Sequence, residues 1–360
     1  MLYLIVTFVQ SKLTIKLGMK KLKKIKVGIS VGDINGIGIE VILKTFDDSR
    51  MLELCTPILF ASSKTISFHK KVLALNSTIY GVENVSKVVE NKINLVNVWK
   101  ENINIDLGKE TSEGGKYAFL SLDSALKSLK ENTIDVLVTA PINKHNIQSD
   151  DFNFKGHTEF LEANLEGESL MILMTDEIKI GLITGHIPIQ NVAETITPEL
   201  LVKKINLMYT SLLQDFGVER PKIAVLGLNP HCGDNGVIGN EDDQIIKPTL
   251  EKLQSEGKLI YGPYAADSFF GSKAYQNFDG ILAMYHDQGL APFKTMSFGN
   301  GVNFTAGLDR VRTSPDHGTA FEIAGKNKAN HHSFKQAVYT AIDIFKKRNQ
   351  YKELIQDKLN

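Results

Sequence analysis

Ile25-Lys-Val-Gly-Ile-Ser-Val-Gly-Asp-Ile-Asn-Gly-Ile-Gly-Ile-Glu40 passes from a β-branched run, through a turn with glycines at 32, 36 and 38, into a helically spaced apolar stretch. Strand, tight turn and helix in that order make up the repeating unit of an α/β fold. A turn in this position can hold a phosphate against the helix amino terminus. The glycines fall at 32, 36 and 38 rather than in the G-x-G-x-x-G dinucleotide pattern, so the turn is not that fingerprint.

The same alternation continues outward. Strands are expected at Ile25–Val31, Ile134–Thr139, Ile178–Thr184, Lys222–Leu226 and Gly280–Met284, and helices at Ile37–Phe46, Gly115–Leu129, Pro198–Asp215, Asp242–Glu256 and His332–Lys347. Thr197-Pro198-Glu199 places a cap, a first-turn proline and a first-turn acid in helix-starting order. There is no internal repeat, low-complexity tract or long polar linker, so residues 19–360 are expected to form one two-lobed unit.

A chain of 360 residues buries a full core unaided. Its 41 basic and 41 acidic residues cancel, which leaves no global positive field for nucleic acid or anionic membranes. Two cysteines, Cys55 and Cys232, give no disulfide framework and fit a reducing, cytoplasmic setting. The apolar run Leu2–Val9 is far shorter than the roughly 20 residues of a membrane-spanning helix, and its basic residues follow it, unlike those of a secretory signal. Met19 opens a second plausible start, so residues 1–18 are expected to be an extension outside the fold.

Three apolar runs end in histidine: Lys179 to His186, Ile223 to His231 and Ile281 to His286. Open α/β sheets build their sites beyond the carboxyl ends of strands, so these imidazoles are expected on the functional face. Three imidazole ligands suit a divalent ion with positions left open for substrate, and the alternative is three histidines that merely end strands. The turn former Asn229-Pro-His-Cys-Gly-Asp-Asn-Gly236 reads as a ligand-approaching loop or a plain surface turn, with Cys232 a small filler. Lys294 to Arg312, rich in Gly and Asn, suits a small phosphorylated anion or a solvated basic loop.

Gly156-His-Thr-Glu-Phe-Leu161, Gly185-His-Ile-Pro188, Leu228-Asn-Pro-His-Cys-Gly233, Gly262 to Phe269, Tyr285-His-Asp-Gln-Gly-Leu290 and Arg312-Thr-Ser-Pro-Asp-His-Gly-Thr-Ala320 together resemble the 4-hydroxythreonine-4-phosphate dehydrogenase family of pyridoxine 5'-phosphate biosynthesis. The match runs in order from about Ile25 to Lys347. It implies a three-layer α/β/α fold like that of isocitrate and isopropylmalate dehydrogenases, with the active site between lobes and at a homodimer interface. His186, His231 and His286 match ligands of one divalent metal (zinc, magnesium, manganese or cobalt), drawn from both subunits. His157, Thr158, Lys294, Asn303 and Arg312 match substrate contacts. The implied reaction is NAD-dependent oxidation of 4-phosphooxy-L-threonine, a small phosphorylated amino acid, followed by loss of carbon dioxide. Dehydrogenases of D-threonate or D-erythronate 4-phosphate are the alternative. His157, Asp267 and Lys294 are the candidates for removing the hydroxyl proton. The first turn and Cys232 depart from the common family pattern, and neither departure removes a matched ligand.

Overall fold

The computed structural model describes residues 24–359. The expectation for residues 1–18 therefore lies outside the described residues. The fold is α/β, built on one twelve-stranded sheet. Its strands are β1 (Ile25–Ser30), β2 (Cys55–Ala61), β3 (Ile79–Val82), β4 (Ile93–Asn97), β5 (Val136–Thr139), β6 (Gly167–Met174), β7 (Lys179–Leu182), β8 (Lys222–Leu226), β9 (Leu259–Tyr264), β10 (Gly280–Ala283), β11 (Val302–Leu308) and β12 (Arg312–Pro315). They lie in the order β3-β4-β2-β1-β5-β12-β11-β6-β7-β10-β8-β9.

Pairing divides the sheet into two parallel halves. Strands β3 to β12 in that order are mutually parallel, as are β7, β10, β8 and β9. Between the halves, β11 runs antiparallel to both β12 and β6, and β6 runs antiparallel to β7. The two halves therefore point in opposite directions across a central antiparallel hinge of strands.

Side chains alternate between the sheet's two faces, and the faces are covered differently. On one face Val27, Ile29, Val136, Val138, Leu170, Ile172, Val225, Leu282 and Phe304 belong to a single apolar cluster. The helices Gly38–Asp47, Pro198–Gln214, Lys247–Ser255 and His332–Leu359 cover it. In the second of these, Leu201, Ile205, Met208 and Leu212 recur at helical spacing and are fully buried. The helix begins where the Thr197 hydroxyl accepts from the Leu200 N–H, with Pro198 in the first turn.

The opposite face carries two separate clusters. Leu137, Ile58 and Phe60 pack with helix Ser112–Lys130 and with Phe160 and Leu161 of helix His157–Asn164. Leu226, Ile180, Ile281 and Leu173 pack with Leu290 and Phe293 of helix His286–Ser297. Full burial of a Leu or Ile contributes about 1.5–3 kcal/mol, and the sheet's middle forgoes that on this face by presenting Asn303, Thr305, Arg312 and Ser314 instead. A cleft lies over this polar strip.

The five expected strands and five expected helices are present within a few residues of their expected bounds, apart from the far end of the last helix, and β2, β3, β4, β6, β9, β11 and β12 are further strands not expected from the sequence. The stretch Asp242 onward begins as a π-helical turn, Asp242–Ile246, before the α-helix Lys247–Ser255. Pro248 lacks the N–H that a regular ladder needs there, which explains the wider first turn. The last helix continues to Leu359, beyond the expected Lys347.

Candidate active site

A cavity of about 210 Å³ opens over the polar strip, between the two clusters of the divided face. Met171 and Leu173 of β6, Asn303 of β11 and Arg312 and Ser314 of β12 form its floor. Its walls come from Thr139–Lys144, the start of helix His157–Asn164, His186, His286 and Asp316–Gly318. Strands β6, β11 and β12, loops that follow strands and the first turns of helices His157–Asn164 and His286–Ser297 all contribute, so the sheet anchors the floor and the helices the walls.

Arg312 is the deepest charge, at 2% exposure. Its Nε and Nη2 donate to the Thr139 hydroxyl at 3.1 and 2.6 Å, and Nη1 donates to the Thr305 hydroxyl at 3.1 Å. Among the described residues it has no carboxylate partner. Burial pulls its pKa down to about 9. A buried guanidinium with neutral partners and a face toward a cavity is a site for an anion, because burial of the charge is costly until a counter-charge arrives.

Four more polar atoms around the cavity are buried without a partner: His157 Nε2, Glu159 Oε2, Asn303 Oδ1 and His317 Nε2. Such atoms cost about 1–3 kcal/mol each if left unmet, so their convergence on one cavity marks a ligand site. Helix His157–Asn164 adds its amino terminus, where Gly156 offers no side-chain cap to the first amides. Burial holds the His157 imidazole well below its ordinary pKa, and the nearby Arg312 and Lys144 charges add to the shift. Glu159 sits below the usual carboxylate range, chiefly through its contact with His186.

His186 and His286 follow the neighbouring strands β7 and β10, and their ring centroids are 5.5 Å apart. Two imidazoles on one tetrahedral zinc, each with a Zn–N bond of about 2.0 Å, have centroids about 5 Å apart. His286 Nδ1 contacts the Asp287 carboxylate at 2.7 Å and His186 Nδ1 contacts that of Glu159 at 3.3 Å. A carboxylate on Nδ1 orients Nε2 for a metal, so this donor pair fits a divalent ion. His186 Nε2 lies 3.3 Å from Lys144 Nζ.

The structure brings together His157, Thr158, Asn303, Arg312, His186 and His286 of the sequence-derived set. Lys294 stands behind the wall, donating to the Asp316 carboxylate at 2.6 Å and to its carbonyl at 2.7 Å. His231 follows β8, the strand beside β10, but lies exposed in the next turn with φ 54°. Among the described residues no three His, Cys, Asp or Glu side chains form a metal-binding group. Asp267 is exposed on the short helix Ala266–Gly271, and its charge acts on Cys232 rather than on the cavity. Burial first, then neighbouring acids, raises the Cys232 thiol to about 11, as expected of a filler.

The glycine turn lines no wall of this cavity. Gly32 has φ +68° and its backbone lies so close to Pro141 that a Cβ would fall 2.2 Å from the carbonyl oxygen. Asp33 is fully buried, donates its N–H to the Pro141 carbonyl and accepts from Asn146 Nδ2 at 2.8 Å. The turn is scaffold: it fixes the 141–146 loop that carries Lys144. The reading from sequence did not single out Lys144, Glu159, Asp316 or His317. Glu159, Asp316 and His317 lie inside motifs quoted above, while Lys144 has no local signal.

Residues 53–341 match the family model of pyridoxal phosphate biosynthetic protein PdxA. The chain belongs to that family. Over 331 residues, 91% of each chain, it is 50% identical to the 4-hydroxythreonine-4-phosphate dehydrogenase of Bacteroides thetaiotaomicron. It is 39% identical over 319 residues to the enzyme of that name from Sulfurihydrogenibium, covering 88% of this chain and 98% of the relative. The crystal structure of 4-hydroxythreonine-4-phosphate dehydrogenase from Klebsiella pneumoniae aligns over 90% of this chain and 98% of its own, with a TM-score of 0.77 and 29% identity. That from Burkholderia phymatum aligns over 89% and 98%, with a TM-score of 0.73 and 31% identity. The family membership and its fold agree with the resemblance read from the motifs, and its relatives are dehydrogenases of pyridoxal phosphate biosynthesis. No helix among the described residues is long and apolar enough to cross a membrane.

Proposed function

We propose that the protein is an NAD-dependent, divalent-metal-dependent dehydrogenase that oxidises the C3 hydroxyl of 4-phosphooxy-L-threonine in the cytoplasm. The resulting β-keto acid, 2-amino-3-oxo-4-phosphooxybutanoate, loses carbon dioxide to give 3-amino-2-oxopropyl phosphate. The observation that carries this reading is Arg312, buried with no carboxylate in hydrogen-bond contact and lining a cavity beside four residues that each have an unmet polar atom. A doubly charged phosphate supplies the counter-charge for Arg312, while the acceptors Glu159 Oε2 and Asn303 Oδ1 would take donors such as the substrate's hydroxyl and ammonium groups. The names of the relatives supply the substrate.

In this reading Arg312, with Asn303 and the amino terminus of helix His157–Asn164, holds the anionic end of the substrate. His157 and Thr158 orient the body of the molecule, and Lys294 acts through Asp316. Fixing the remote end positions C3, which turns binding energy into rate. His186 and His286 would hold the metal, with His231 as third ligand contributed across a homodimer. When bound, a divalent ion lowers the pKa of the substrate hydroxyl and takes up charge during decarboxylation. An adjoining chamber of about 400 Å³, sharing Thr158, Glu159, Met171 and His186 with the first, gives room for the nicotinamide end of NAD.

Purified protein should reduce NAD fastest with 4-phosphooxy-L-threonine when compared side by side with D-threonate 4-phosphate and D-erythronate 4-phosphate. Chelation should abolish NADH formation and added divalent ion should restore it. Preference for a sugar-acid phosphate refutes the substrate, and full activity of metal-free enzyme refutes the metal.

A further inference from the structure

We propose that Lys144 receives the α-carboxylate of the substrate and so sets the site's specificity at the end opposite the phosphate. The proposal rests on the dehydrogenase reading above and adds a substrate contact to it. 4-Phosphooxy-L-threonine carries an anion on either side of its C3 hydroxyl. Among the described residues, one arginine and one lysine line the cavity, Arg312 in the floor and Lys144 in the wall. With the phosphate on Arg312, one anion and one cation are left to be matched. With the hydroxyl toward His186 and His286, the chain carries the carboxylate past those histidines, and Lys144 Nζ stands there, 3.3 Å from His186 Nε2.

Lys144 has no acid of its own. Its ammonium bonds the His186 imidazole, and among the described residues no Asp or Glu forms an ion pair with it. Its charge nonetheless reaches across the cavity: it adds to burial and Arg312 in lowering His157, and to the His186 contact in lowering Glu159. An ammonium has three donors and no lone pair, so His186 Nε2 accepts in their contact. A divalent ion at Nε2 would take that lone pair and repel the ammonium, which then turns on its four-carbon stem toward an anion in the cavity.

The backbone beneath this flexible side chain is fixed. Asn143 Oδ1 accepts from the N–H groups of His145 and Asn146 at 2.8 and 3.1 Å, and Gln148 Nε2 donates to the Lys144 carbonyl at 2.9 Å. Asn146 Nδ2 donates to the buried Asp33 carboxylate at 2.8 Å and to the Thr111 carbonyl at 2.9 Å. Helix Ser112–Lys130 closes on the loop at Gly115, where a Cβ would fall 1.9 Å from the Asn146 carbonyl oxygen. The Gly32 turn, which lines no wall, therefore anchors the point from which the ammonium reaches the substrate.

The other cations nearby are already engaged. Lys155 and Lys204 line the adjoining chamber, donating to the His186 and Ser169 carbonyls at 3.2 and 2.7 Å. Lys294 is paired with Asp316. A point charge also suits the role better than a second arginine, because the carboxylate must leave as carbon dioxide and a two-pronged clamp would resist that loss.

The test uses two ligands that differ only in the carboxylate: 4-phosphooxy-L-threonine and 3-amino-2-hydroxypropyl phosphate. Wild type and Lys144→Met, saturated with zinc and free of NAD so that nothing is oxidised, are titrated by calorimetry with each. Wild type should prefer the carboxylate-bearing ligand by at least about tenfold, and the variant should lose at least about fivefold of that preference while its Kd for the other ligand stays within about threefold of wild type. A smaller fall in preference, an equal loss for both ligands, or a wild type that binds both equally overturns the proposal. A wild type that binds neither overturns the substrate reading itself, and the proposal with it. Lys144 is exposed, so the variant is expected to fold, and Lys144→Gln repeats the comparison should it not.

Discussion

Arg312 and Arg348 are the two arginines this fold buries, at 2% and 5% exposure, and they are treated in opposite ways. Arg348 sits on the continuous face, where its Nε meets Asp215 at 2.7 Å and its Nη1 donates to the Leu308 carbonyl at 3.0 Å. Asp215 in turn accepts from Ser211 at 2.9 Å. Arg312 sits on the divided face bonded to two threonine hydroxyls, with the Glu159 carboxylate near enough to act on its charge but not bonded to it. A buried cation that carries its own counter-ion is part of the structure. One without a bonded counter-ion is, in the proposed function, the seat of the substrate's phosphate, whose binding would offset the cost of its burial.

The sharpest break in this comparison is Asp215→Ala. It strands Arg348 and should lower unfolding stability by about 3–5 kcal/mol in urea titration, while the activity of the folded fraction stays near wild type. Equal loss of specific activity would contradict a purely structural role for that pair.

His69 offers a third treatment of a buried base: it stays neutral. It is 2% exposed, contacts the Ile34 carbonyl at 2.9 Å through Nε2, and burial lowers its pKa to about 4. Unfolded, its imidazole titrates near 6.5, so between these values only the unfolded chain takes the proton. The stabilisation is complete above about pH 6.5 and is lost as pH falls toward 4, by about 3 kcal/mol. Urea midpoints measured across that window should depend less on pH in His69→Gln than in wild type. An unaltered profile would remove His69 from the acid response.

Arg312→Met should have the smallest effect on folding, leaving stability unchanged or raising it by up to about 2 kcal/mol, because it removes an uncompensated buried charge. A clear loss would mean that Arg312 holds the fold together as Arg348 does.

Strands β1, β5, β7, β8 and β10 were legible because their chemistry is monotonous. Lys222–Leu226 appears as expected, and Gly280–Met284 differs by one residue, since apolar β-branched runs leave little choice. Strands β11 and β12 were not legible. Asn303, Thr305, Arg312 and Ser314 interrupt their apolar alternation, and that stretch reads as a polar loop in sequence. Those residues break the pattern because they floor the cleft. The same logic applied in reverse at the Gly32 turn, where a phosphate-like pattern turned out to be buried scaffold. Lys144 was invisible because what marks it is its contact with His186 across the fold, which no local spacing encodes.

The central claim, that Arg312 awaits the substrate's phosphate, is tested by a two-by-two titration. Wild type and Arg312→Met are each titrated by calorimetry with 4-phosphooxy-L-threonine and with unphosphorylated 4-hydroxy-L-threonine. Wild type should prefer the phosphorylated ligand by at least about tenfold, roughly 1.4 kcal/mol, and in the variant that preference should largely vanish. A variant that keeps the full preference for the phosphorylated ligand would contradict it.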